Sequence, residues 1–97
     1  MSELKRAIDQ ISKDRGIDRD LLVDTLEEAV RSSVIRKYGE NMDVEVSFNE
    51  EAGEIEVYQF KVVANKVKEP LNEIELKEAR KHDPAVQLGD EIGFKLN

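Results

Sequence analysis

GIDRDLLVDTLEEAVRSSVIRKY, residues 16–38, reads as one long capped helix whose charge changes sign along its length. Asp18 is a good N-cap, and Ile17 and Leu22 stand at the two positions of a hydrophobic staple. Asp18, Asp20, Asp24, Glu27 and Glu28 make the first half acidic, whereas Arg31, Arg36 and Lys37 leave the stretch from Arg31 to Tyr38 purely basic. Cations are favoured near a helix C-terminus, and Gly39 and Asn41 supply the stop. Val23, Leu26, Val30, Val34 and Tyr38 form an apolar stripe, widened by Leu22, Ala29 and Ser33. A face this broad packs on two sides, or packs on one and offers the other to a partner. Leu26, Val30 and Val34 are expected in the core. Leu21, Leu22 and Ile35 fall on the flanks, where a groove could receive an apolar helix.

Upstream, Leu4, Ala7, Ile8 and Ile11 follow helical spacing over residues 2–15, with Ser2 as N-cap and Gly16 as stop. Downstream, Met42, Val44, Val46 and Phe48 alternate with Asp43, Glu45 and Ser47, the pattern of a strand with one wet face. Residues 49–53, NEEAG, form a turn in which Gly53 can take a positive φ. The return strand starts with Ile55 and Val57, then continues on the opposite parity with Tyr58, Phe60 and Val62. Parity cannot change in a regular strand, so a bulge or strong bend is expected near Val57 and Tyr58. After Pro70, Asn72 and Glu75 have the spacing of a capping box, with Leu71 and Leu76 at staple positions, and predict a short third helix ending before Asp83-Pro84. Leu88-Gly89-Asp90 turns the chain into a last strand in which Ile92, Phe94 and Leu96 alternate.

The expected fold class is α+β: helix, helix, strand, strand, helix, strand, with a small antiparallel sheet packed against helices. The chain has 97 residues, which suits one domain over residues 1–97. Its last residue, Asn97, falls at the end of a strand, as expected of a piece cut from a longer protein.

Composition narrows the functions. With 38% charged and 39% hydrophobic residues, the chain is neither a disordered tail nor a membrane span. It has no cysteine, so disulfides and thiolate chemistry are excluded, in keeping with a reducing cytoplasm. The net charge of −7 opposes wrapping of duplex nucleic acid, although a local basic patch can still touch RNA. Residues 42–70 hold seven acids and three lysines. Alternating outward charges explain the hairpin glutamates without a metal, and these acids could face a basic partner surface. His82 is the one histidine, so a small enzyme would depend on it; a histidine at a helix C-terminus is favoured without any catalytic role. No cofactor and no metal site is expected.

Three segments, residues 16–39 (GIDRDLLVDTLEEAVRSSVIRKYG), 41–63 (NMDVEVSFNEEAGEIEVYQFKVV) and 69–92 (EPLNEIELKEARKHDPAVQLGDEI), resemble in order and spacing the N-terminal domain of the bacterial transcription elongation and termination factor NusA. The similarity covers essentially the whole chain. It implies a domain that docks on RNA polymerase near the β-flap and the RNA exit channel and promotes hairpin-dependent pausing, termination and antitermination. It implies that basic residues just before the helix-ending Tyr approach the nascent RNA hairpin. Here those positions are Arg36 and Lys37, with Arg31 nearby. The family can carry a third basic residue immediately before them, where this chain has Ile35, which weakens the expected contact. The KH domains of such proteins, with their Gly-x-x-Gly loop, are not in this sequence. Other Nus factors would be met through the longer protein, and no membrane is involved. The reading outside this family is a stand-alone cytosolic interaction module.

Overall fold

A computed structural model describes residues 2–97. α1 (Glu3–Arg15) and α2 (Arg19–Tyr38) are followed by β1 (Val44–Asn49), β2 (Glu54–Ala64), β3 (Glu73–Glu75), α3 (Leu76–His82) and β4 (Glu91–Lys95). The architecture is α+β, three helices with one four-stranded sheet. Both long helices begin where their caps predict. The Ser2 hydroxyl accepts from the Lys5 N–H, and the Asp18 carboxylate accepts from the N–H groups of Asp20 and Leu21.

β2 is the spine of the sheet. Its even-numbered backbone groups bond to β1 and then to β3, as Phe60 N–H to Asp43 O and Val62 N–H to Asn72 O. Its odd-numbered groups bond to β4, as Val63 N–H to Asp90 O. Thus β1 and β3 lie end to end along one edge of β2, and β4 lies along the other. The pairs with β1 and β4 are antiparallel; β3 is parallel and only three residues long, so the sheet is mixed. The expected bulge at Val57 and Tyr58 does not form. The register runs without a skip from Asn49↔Glu54 to Val44↔Gln59. The apolar parity changes because successive parts of a central strand serve different faces: Ile55 and Val57 point to the helices, Tyr58, Phe60 and Val62 away from them. Gln59 fills an inward position that parity reserves for an apolar residue, and its amide donates to Leu71 O at 2.8 Å.

The segment after Pro70 also departs from expectation. Asn72 does not cap a helix. Its amide oxygen accepts from Asp43 N–H and its amide nitrogen donates to Asn41 O. Glu73 accepts from the N–H groups of Lys68 and Glu69. These bonds tie the loop to the start of β1 and align Ile74 beside Val63, so the first turn of the predicted helix becomes β3 and α3 starts at Leu76. A local capping pattern loses here to a tertiary strand pairing.

The best-buried cluster is Val63, Ala79 and Val86, with Ile74, Leu76 and Ile92 against it. It joins α3 and the end of β2. The Leu88-Gly89-Asp90 turn seals it, with Gly89 N–H bonded to Val63 O. Leu26, Val30 and Val34, expected in the core, are half-buried, and α2 contains no buried residue. The reason is shape: the molecule measures 53 × 26 × 17 Å, and α2 lies over β1 with its outer side open.

Candidate functional site

α2 is 20 residues, about 30 Å of helix. Its basic end is exposed. Neither Arg36 nor Lys37 joins an ion pair among the described residues; the Lys37 ammonium sits 5.1 Å from the centre of the Tyr38 ring. Arg31 is placed differently. At ~100° per residue it lies roughly 120–140° around the helix from the other two. Its Nη1 donates to Val44 O at 3.2 Å, and it shares a pocket of about 320 Å³ with Asp24, Glu27 and Glu28. Three basic residues close in sequence therefore occupy two environments, one screened by acids and one open.

Leu21, Leu22 and Ile35 do not converge. Leu21 is 60% exposed, while Leu22 and Ile35 are half-buried. Leu21 and Ile35 share a face but stand about 21 Å apart along the axis. Between them on that face come Thr25, Glu28 and Ser32, all exposed. Leu22 turns roughly 100° away. What the fold does bring together is Val34, Tyr38, Val57 and Leu96, around an open pocket of about 180 Å³ rimmed by Ser33, Lys37 and Asn97. Tyr38 is 41% and Leu96 39% exposed. The pocket joins the end of α2 to the end of β4, residues nearly sixty positions apart, so no local pattern could reveal it. Its only trace in the sequence is that each apolar repeat ends on a large side chain.

The opposite end of the molecule is locked. Arg19 spans Glu50 in the hairpin turn, at 2.7 and 2.8 Å, and Asp9 of α1, at 2.6 Å. These hydrogen bonds raise the Arg19 pKa, and Arg19 in turn holds the Glu50 carboxyl below its usual range. The Ser2 hydroxyl donates to Gly53 O and Lys5 Nζ to Glu50 O, so the turn is fastened to the start of α1. His82 packs edge-on against Phe94, with ring centres 5.1 Å apart, and the Asp83 carboxylate accepts from Ala85 N–H. Among the described residues no group of three or more His, Asp or Glu side chains is placed to hold a metal ion, and no helix is long and apolar enough to cross a membrane.

The family model for the NusA N-terminal domain matches residues 3–97. Transcription termination/antitermination protein NusA of Rickettsia conorii is 32% identical over 90 residues, 93% of this chain and 18% of that protein. The proteins of the same name from Thermus thermophilus and Bacillus subtilis are 30% and 31% identical, each over 98% of this chain and 27% and 26% of their own lengths. The chain thus spans about a quarter or less of these relatives. The solution structure of the N-terminal domain of NusA from B. subtilis superposes with a TM-score of 0.76 at 28% identity, covering 98% of this chain and 77% of that one. With the family model matched over nearly its whole length and relatives at 30% identity or more, this chain belongs to the NusA N-terminal domain family.

Proposed function

We propose that this chain is a binding domain for bacterial RNA polymerase that docks near the β-flap and the RNA exit channel, where it promotes hairpin-dependent pausing, termination and antitermination. The observation that carries the reading is the end of α2. There Arg36 and Lys37 stand exposed, beside an apolar pocket of Val34, Tyr38, Val57 and Leu96. The apolar side chains of α2, with Leu21 the most exposed and Leu22 and Ile35 half-buried elsewhere along the helix, supply affinity for an apolar helix of the polymerase. Arg36 and Lys37 meet phosphates of the nascent RNA hairpin. Arg31, drawn toward Val44 O and acidic neighbours, adds less to that contact. Two or three charges bind RNA weakly, so the polymerase must hold the domain in place and raise the effective concentration. Stabilising the hairpin then shifts the population toward the paused state. Other Nus factors would join through the longer protein, in the cytoplasm where transcription occurs.

The test is the double variant Arg36→Glu with Lys37→Glu. Hairpin-dependent pausing by bacterial polymerase should fall severalfold, while binding to the isolated β-flap, followed by amide chemical shifts, stays within about twofold. Equal loss of both would overturn this division of labour. Absence of shifts on α2 with flap protein would overturn the docking site.

A further inference from the structure

The sheet has one covered face and one open one. Cross-strand partners share a face, so the register groups Phe48, Val57, Phe94 and Leu96 on one side. The apolar helix contacts fall on that side, and α2 also reaches the edge of β1, where Glu45 lines the Arg31 pocket. Arg19 of α2 lies 5.9 Å over the Phe48 ring, Val34 and Tyr38 meet Val57 and Leu96, and His82 of α3 meets Phe94. The other face carries Tyr58, Phe60 and Val62 in line along β2, about 14 Å of apolar strip. Tyr58 and Phe60 are half-buried and Val62 is 40% exposed. The Phe60 ring packs against its partner Gly93: a β-carbon there would come within 2.9 Å of the ring.

The strip is flanked by acids. Glu45 is the cross-strand partner of Tyr58, Glu91 that of Val62, and Asp43 O accepts from Phe60 N–H. Glu45, Glu91 and Asp43 are exposed and form no ion pair among the described residues. The cation on this face, Lys95, lies between Glu54 at 3.1 Å and Glu56 at 3.6 Å, which offset it. An apolar strip on an uncovered sheet face is where a helix packs in a layered domain. A 14 Å strip matches about nine helical residues. The flanking charge selects the occupant: nucleic acid is repelled, and a second copy laid face to face would oppose acid to acid.

We propose that this open face is a second protein-docking surface, whose occupant is a short amphipathic helix with apolar residues on one side and Lys or Arg on its flanks. It is separate from the α2 end, so failure of the flap titration leaves it standing. The probe is a synthetic fourteen-residue helical peptide with leucines at helical spacing and lysines beside them, titrated into the isotope-labelled 97-residue chain. Amide shifts should cluster on Glu45, Tyr58, Phe60, Val62 and Gly93, and binding should weaken steeply with salt. The exposed double variant Glu45→Lys with Glu91→Lys should keep its melting temperature and lose at least tenfold in affinity. A peptide with glutamates in place of the lysines should bind at least tenfold more weakly. Shifts centred on α2, equal binding of the two peptides, equal binding by the variant, or a dimer in sedimentation that buries this face would each overturn the proposal.

Discussion

Gly53 does two things that a side chain would prevent. Its φ of +67° suits a residue without a β-carbon, and its carbonyl accepts the Ser2 hydroxyl at 2.6 Å. A β-carbon there would run into the Ser2 hydroxyl and stand 2.6 Å from the Ser2 β-carbon. Gly53→Ala should cost about 2–3 kcal/mol in urea unfolding, from left-handed backbone strain and the lost bond to the α1 cap. Gly53→Ala combined with Ser2→Gly should recover part of that loss, because both clashing side-chain atoms of Ser2 are then gone and glycine still serves as an N-cap. The turn glycine was legible from NEEAG alone. That it also seats the first helix was not, because Ser2 is fifty-one positions away.

Glu50 ties the same turn to Arg19, and its depressed pKa gives a pH dependence of definite sign. Its stabilising effect is complete above the ordinary carboxyl value of 4.5 and is lost as pH falls through the lower folded value. Glu73, lowered by the backbone N–H groups of Glu69 and Lys68, adds to the same window. The urea midpoint of the native chain should therefore drop below about pH 4.5, and Glu50→Gln should flatten part of that drop. An equal acid slope in the variant would show that the pair contributes nothing measurable.

At the scale of elements, α2 is held along β1 by side chains that meet the strand's outward backbone. Glu27 accepts from Phe48 N–H at 2.8 Å and Arg31 donates to Val44 O at 3.2 Å. Together they occupy the hydrogen-bonding edge that a neighbouring strand would otherwise use, a recurrent protection of exposed edges. Arg31→Ala should cost about 1 kcal/mol, a charged hydrogen bond discounted for partial exposure, whereas Arg36→Ala should stay within about 0.5 kcal/mol. Thermal unfolding of the two variants separates a positioning arginine from a free one. In the sequence these residues look alike, because helical phase alone does not say which strand passes beneath. β3 teaches the converse. Asn72 and Glu75 have the spacing of a cap, yet the energy gained by pairing Ile74 with Val63 and closing the Val63–Ala79 cluster exceeds that of one helical turn.

The whole molecule has a Cα radius of gyration of 16.8 Å, well above the ~12.5 Å of a compact chain of this length. Burial is accordingly divided. Ile8, 2% exposed, is the one buried residue of α1; Val63, also 2%, anchors the cluster under α3. Val63→Ala should cost roughly 2 kcal/mol and Ile8→Ala roughly 3 kcal/mol, each from lost methyl groups plus the cavity left behind. Because the sites share no buried cluster, the double variant should show the sum within about 0.5 kcal/mol. A large deviation in chemical denaturation would mean that the two ends are coupled through β2.

By itself the sequence determined the ends of the two long helices, the hairpin turn, the order of the main elements, the charge reversal along α2 and the family. Each of these depends on neighbours within a few residues or on the order of such segments. Tertiary structure alone decided which arginine is free, where the core lies, that Gln59 is buried, that β3 exists, and that Val34, Tyr38, Val57 and Leu96 share a pocket. Those outcomes depend on contacts across tens of residues, where desolvation and strand pairing outweigh local preference. A one-dimensional pattern carries no record of which distant segment will supply the partner.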